Sequence, residues 1–332
     1  MKNPKLALVS AVHIQPSEAW IKGLPRDIPV FIVDDSNGKV KIDLPNVKMF
    51  DYAAQKNQWS HKKNRSKYKH FHQKFHKSSA CKMFGLWYAY KKGFDAVIMI
   101  DSDCVITDIS FVELHKYVIG LNGTGWHNTI EKFKDGSFFP RGYPYNERER
   151  KIVMHMGLWY GQMDINGADK MLDANLGEMH PNWFPIDCFE RVAGSMPISG
   201  MNLVIRREAI PAYLLLPNLD VDKLKFRRHD DIFGGYIFQQ LIRKLDGCVT
   251  FGSPLVYHDS PVEPKEDAME EFAMNRNDKE FYQLVDKIVA YSEGKNYKEL
   301  FKSFSKESVK VLTGTKFEEW IDSFKWYAHL YD

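Results

Sequence analysis

A chain of 332 residues with a formal net charge of +3 has room for one large α/β domain with an appendage, and so small a charge does not by itself mark a nucleic-acid binder. Hydrophobic residues make up 44% and charged residues 27%, with 22 Phe, 16 Tyr and 8 Trp, which excludes a disordered chain. Cys81, Cys104, Cys188 and Cys248 are scattered with no CxxC pair, which excludes a disulfide scaffold and points to reduced thiols and a cytoplasmic setting.

The N-terminus reaches polar residues too soon for a signal-peptide core, and no apolar run has the length of a membrane span. Leu6 to Val12 reads as a buried strand, and Pro29 to Val33 as a second one ending at Asp34 and Asp35. Ser78 or Ser79 is placed to cap a helix running to about Lys92 and stopped by Gly93. A third strand, Ala96 to Ile100, delivers Asp101, Ser102 and Asp103 to the same sheet edge, where open α/β sheets bind ligands. The alternation predicts an α/β fold: a Rossmann-like, mostly parallel sheet with flanking helices.

From Gly120 to Pro197 the composition is loop-rich and suits a substrate-binding surface. Asp230 and Asp231 fall in the first turn of a predicted helix, where the helix dipole favours carboxylates. Pro254 to Tyr257 reads as a strand leading to His258. From Glu263 onward Phe281, Leu284, Val285, Ile288 and Val289 recur at helical spacing, as do Phe317, Trp320, Ile321 and Phe324. Thr315 and Glu318 have capping-box spacing. The chain therefore divides into a catalytic domain, 1–262, and a C-terminal helical extension, 263–332, expected to pack on that domain or on another subunit of a homo-oligomer.

An apolar strand ending in Asp-x-Asp projects two carboxylates that can hold a hard divalent cation, which in turn binds a diphosphate. Asp-x-Asp alone is common on solvated loops. The preceding strand and the second acidic pair, Asp34 and Asp35, favour the functional reading, and a late histidine such as His258 suits the third ligand.

Several ordered blocks resemble the reversibly glycosylated polypeptides, also called UDP-arabinopyranose mutases. Lys77 to Gly85, Ile100 to Cys104, Arg141 to Tyr145, Gly157 to Trp159, Ser199 to Leu203, Arg228 to Asp231, and Tyr257 with His258 are similar, in order, to that family's motifs. The resemblance implies the glycosyltransferase-A type of this α/β fold and a metal-dependent enzyme using a UDP-sugar with Mn²⁺ or Mg²⁺, either mutase-like or self-glycosylating. The alternative is a glycosyltransferase to an external acceptor, whether modified nucleic acid, protein or glycan. It implies Asp101, Asp103 and His258 as metal ligands, and Asp34, Asp35, Lys82, Asp101 and Arg148 as nucleotide-sugar contacts. Arg141, Asp230 and Asp231 are then the catalytic candidates.

Arg141 matches the arginine the family glycosylates. A guanidinium stays protonated and is a poor nucleophile, so a diphosphate or sugar clamp is the favoured role. Ser102 replaces the family's middle aspartate, Met156 stands where the family has histidine with His155 displaced by one, and Tyr160 to Asn166 keeps only Asp164, so sugar specificity does not carry over. Trp59 to Lys82 holds seven lysines, one arginine, four histidines and no acid. It reads first as a loop closing over UDP. The second reading is a nucleic-acid contact in which Trp59, Tyr68, Phe71 and Phe75 stack bases.

Overall fold

The computed structural model describes residues 4–60, 75–130, 138–162, 164–172, 178–179, 189–191, 194–221, 224–260 and 263–332. Leu6–Val12 (β1), Val30–Asp34 (β2), Val47–Phe50 (β3) and Ala96–Ile100 (β4) pair in parallel in the order β3, β2, β1, β4. Every residue of β1, β2 and β4 is buried. Helices cover both faces, so these strands are unbroken apolar runs without alternation.

The chain adds Cys104–Val105 (β5), Asn122–Gly123 (β6), Arg150–Gln162 (β7), Glu178–Met179 (β8), Phe189–Arg191 (β9), Asn202–Arg206 (β10), Leu219–Val221 (β11), Leu224–Phe226 (β12) and Gly247–His258 (β13). The sheet continues from β4 through β10, β7 and β13 to β5. The strands β1, β2, β3, β4, β7 and β13 point one way, while β10 and β5 oppose them. Short β6 and β8 attach to β7, β9 attaches to β13, and β11 with β12 forms a separate ribbon. The expectation of a loop-rich middle is corrected here, because β7 crosses the centre of the sheet. Its residues Ile152 to Met156 are buried, so no period of two announced it.

The helices are Glu18–Gly23 (α1), Tyr52–Ser60 (α2), Lys82–Lys91 (α3), Phe111–Ile119 (α4), Gly167–Leu172 (α5), Asp230–Arg243 (α6), Pro264–Ala290 (α7), Tyr297–Leu312 (α8) and Trp320–Ala328 (α9). One face of the sheet, with Leu8, Ile32 and Ile98, packs under Trp20 of α1 and Phe111 of α4. The other, with Val9, Val33 and Met99, packs under α3, α6, α7, α8 and α9 in one continuous core. Close approach of α3 requires Gly85, where a Cβ would come within 2.4 Å of Val9 Cγ1.

The C-terminal extension thus packs on the sheet-bearing part of the same chain. Trp320 donates from Nε1 to Pro217 O at 3.0 Å, and Tyr327 donates to Ile210 O at 2.6 Å. The expected capping box takes another form: α9 starts at Trp320, and the Glu318 carboxylate accepts from Gly314 N at 2.8 Å. Among the described residues no helix is long and apolar enough to cross a membrane. Cys81 and Cys104 are buried free thiols, Cys248 is buried, and Cys188 lies outside the described residues.

Candidate active site

The C-terminal ends of β4 and β13 meet through β5, which pairs His258 with Cys104 and so sets His258 beside Asp103. His258 Nδ1 donates to Gln162 O at 2.7 Å, which turns Nε2 toward Asp103 Oδ2, 3.6 Å away. A histidine whose far nitrogen is committed to a carbonyl presents its other lone pair in a fixed direction, as metal-ligating histidines do. Burial lowers the proton affinity of His258, but Asp103 more than reverses this and holds it above the usual histidine value. Burial raises the Asp103 carboxyl, and the His258 contact overcomes that and holds it low.

Asp101 stands on the other side of the turn. Its backbone is fixed by donation from its N to Met201 O at 3.2 Å and by acceptance at its O from Trp20 Nε1 at 2.9 Å. Its carboxylate pairs with Lys82. Burial pushes the Asp101 carboxyl up against the pull of Lys82, with Asp103 adding to the rise. Lys82 is 1% exposed and also donates to Gly200 O at 3.2 Å. It supports Asp101 from below and does not line the cleft.

Gly200 N donates to Asp231 Oδ2 at 2.7 Å. Asp230 and Asp231 do occupy the first turn of α6, and the two are distinguished by their partners. Ser79 Oγ donates to Asp230. Burial, then the neighbouring Asp230, raises Asp231 to about 8. Such a carboxyl is a proton carrier near neutral pH.

These groups line a cleft of about 430 Å³. Its far wall comes from α7, where Asp267, Glu271, Asp278 and Tyr282 share one face. Arg228 ties that wall in, reaching Asp267 at 3.1 Å, Glu271 at 3.2 Å and Asp164 at 3.6 Å. From α5, Lys170 pairs with Asp267 at 2.9 Å, and Gly167 N donates to Glu271 at 2.8 Å. These α7 acids escaped the sequence reading, which followed the apolar period of the helix. The signal was present in the complementary polar face.

Asp34 and Asp35 are buried at the end of β2 and hold their own loops. Asp34 accepts from Ser36 N at 2.8 Å and Ser36 Oγ at 2.5 Å. Asp35 faces His13 at 3.1 Å and also His76, and accepts from Lys77 N at 2.5 Å. Of the basic stretch, 61–74, with Tyr68 and Phe71, lies outside the described residues. Trp59 and Phe75 are buried against Trp326, with ring centroids at 4.9 and 5.1 Å, so these two rings are not available to stack bases.

Arg141 and Arg148 are not brought to the cleft. Their loop enters β7 at Arg150, six residues before Met156, which is level with Met99 through Leu203. At about 3.3 Å per residue, Arg150 lies ~20 Å from that level, toward the opposite end of the sheet. A second cavity confirms the direction: it joins Glu147 and Arg150 to Arg243, at the far end of α6 from Asp230. Arg141 is exposed, and the Arg148 guanidinium stacks 3.8 Å over the Tyr145 ring.

The sequence profile described as reversibly glycosylated polypeptide matches residues 9–325. UDP-arabinopyranose mutase 1 of Oryza sativa subsp. japonica is 27% identical over 197 residues, 57% of this chain and 52% of that protein. UDP-arabinopyranose mutase 3 of Arabidopsis thaliana is 28% identical over 200 residues, 57% of this chain and 53% of that protein. The chain thus spans about half the length of the curated relatives it matches. Among solved structures, glucosyl-3-phosphoglycerate synthase from Mycobacterium tuberculosis, in complex with Mn²⁺, UDP-glucose and phosphoglyceric acid, is 12% identical with a TM-score of 0.43, covering 86% of this chain and 81% of that one.

Proposed function

The chain belongs to the reversibly glycosylated polypeptide family, and on that premise we propose that it is a metal-dependent UDP-sugar enzyme with mutase-like chemistry centred on Asp103, His258 and Asp231. The observation that carries the reading is the fixed His258 Nε2 facing Asp103 Oδ2 at 3.6 Å, at the mouth of a cleft whose other side holds Asp231. The donor set fits a hard divalent cation: carboxylate oxygens of Asp103 and Asp101 with one imidazole nitrogen. Mn²⁺ or Mg²⁺ bound there supplies positive charge to the departing diphosphate.

The protein's own residues do the rest. Lys82 holds Asp101 in place and offsets part of the charge of the acidic cluster. Asp231, raised to about 8, takes a proton from a sugar hydroxyl and returns it, as opening and reclosing a sugar ring demands. Asp230, fixed through Ser79, and the α7 acids orient hydroxyls. Arg141 has no part in this scheme, because its loop joins the sheet at the opposite end.

Transfer to an external acceptor is the second reading. It is favoured by the reach of the cleft along α7 as far as Asp278 and Tyr282, beyond the metal corner. The test is incubation with a panel of UDP-sugars and Mn²⁺, with separation of isomerised UDP-sugar, free UDP and sugar-labelled protein. Isomerised UDP-sugar is the expected product. Free UDP that appears only when an acceptor is added would replace the first reading by the second, and no turnover of any donor would overturn both.

A further inference from the structure

A second cluster of donors stands at the ends of β1 and β2, near enough to Lys82, Asp101 and Asp230 for their charges to act on His13 and Cys81. His13 follows β1, Asp35 follows β2, and Cys81 closes the 3-10 turn Ser79–Cys81. One ligand atom from each of the three lies within 4.8 Å of the others. His76 brings a fourth donor, its Nδ1 facing Asp35 Oδ1 while His13 Nδ1 faces Asp35 Oδ2 at 3.1 Å.

We propose that His13, Asp35, His76 and Cys81 form a site for a borderline-soft divalent cation of the zinc class. The donor chemistry selects the ion: two imidazoles, one thiolate and one carboxylate are a tetrahedral zinc set, unlike the oxygen-rich corner at Asp101 and Asp103. Charge points the same way. The Asp35 side chain is fully buried, and among the described residues no lysine or arginine side chain pairs with it. A buried carboxylate without a countercharge is costly. With a divalent cation the thiolate and carboxylate balance the charge, and the Cys81 proton leaves to solvent.

Two further observations support a built site. Asp35 Oδ1 and His76 Nδ1 are both buried and in direct contact with each other. Lys77 adopts a left-handed backbone, φ 59°, uncommon for a residue with a side chain, and its N–H reaches the other carboxylate oxygen at 2.5 Å. The cation thus clips the segment from Phe75 to Cys81 onto the strand ends, directly before the helix that supplies Lys82.

The test uses the full chain, freed of metal by dialysis against a chelator and titrated with Co²⁺. The expected result is tetrahedral cobalt absorption with a thiolate charge-transfer band, reaching its limit within the first equivalents. Cys81→Ser removes that band, and His13→Gln weakens Co²⁺ binding about tenfold or more, a loss typical of disturbed metal sites. The band persists in Asp103→Ala, which separates this site from the Asp103 corner. Absence of tetrahedral absorption in the parent chain, or a band that survives Cys81→Ser, overturns the proposal. Should Cys81→Ser fail to fold, His13→Gln decides, since its ring is 42% exposed: unchanged Co²⁺ affinity there overturns it as well.

Discussion

His258 Nε2 lies 3.6 Å from Asp103 Oδ2 because the other ring nitrogen is held by Gln162 O at 2.7 Å. The β5 and β13 pairing fixes the two backbones, and the Gln162 carbonyl fixes the ring, so the pair is preorganised without any ligand. Asp103→Ala and His258→Ala should each reduce metal-stimulated UDP affinity at least tenfold. Isothermal titration with UDP, in Mn²⁺ and in chelator, checks this. Variants that keep the full gain from Mn²⁺ would remove this corner from the metal site.

Asp231 should govern the alkaline dependence of turnover. With its carboxyl raised to about 8, the base form grows as pH rises through that value. The kcat/KM of the free enzyme should therefore climb between about pH 7 and 9. Asp231→Asn should lower kcat by about a hundredfold or more and leave a residual rate without that limb. A retained limb in this variant would assign the titration to another group.

Stability should pass through a maximum near pH 6.5. Burial lowers His115 to about 3, and His155 and His229 to about 4. Their stability contribution is complete above the unfolded value of about 6.5 and is lost as pH falls toward the folded values, at up to about 1.4 kcal/mol per unit for each histidine. Asp231 works in the opposite sense. Its folded value is raised above an unfolded value of about 3.9, so its contribution is present at low pH and is lost as pH rises toward 8. Below pH 6.5 the three histidines outweigh one aspartate, and above it Asp231 and the raised His258 prevail. Thermal melts in chelator from pH 4.5 to 9 measure the curve, and Asp231→Asn should flatten its alkaline side and steepen its acid side.

Arg141→Ala should leave UDP affinity within about twofold of the parent, since a surface change away from the site has little effect. Its loop joins β7 beside the second cavity, with Glu147 and Arg150. Peptide mass spectrometry after incubation with donor should show no sugar on Arg141. A stoichiometric hexose or pentose on that residue would establish self-glycosylation and with it a different path for this loop.

Sequence showed the first half of the fold well, because β1, β2 and β4 are apolar runs closed by polar residues at the sheet edge. The pairing of Asp103 with His258 was legible in outline, since Asp103 lies in the turn after β4 and His258 ends β13. The strand β7 was not, because a buried strand carries no alternation, and its aromatic and glycine content resembled a loop. The loop contacts of Asp34 and Asp35 were not legible. In the structure Asp34 accepts from Ser36, and Asp35 meets His13, His76 and Lys77, contacts that depend on folding and not on spacing. Strand register, which a motif does not contain, brings the loop of Arg141 into β7 at the end of the sheet opposite the cleft, and Arg141 does not line it.

Gly200 joins two sides of the site. Its carbonyl accepts from the lysine that holds Asp101, and its N–H donates to Asp231. A Cβ there would meet Lys82 Nζ at 3.1 Å and Asp231 Oδ2 at 3.5 Å. Lys82, which holds Asp101, and Asp231 are therefore both bonded to a single residue. A side chain at Gly200 would press on both supports at once, so a substitution there disturbs the settings of Asp101 and Asp231 together.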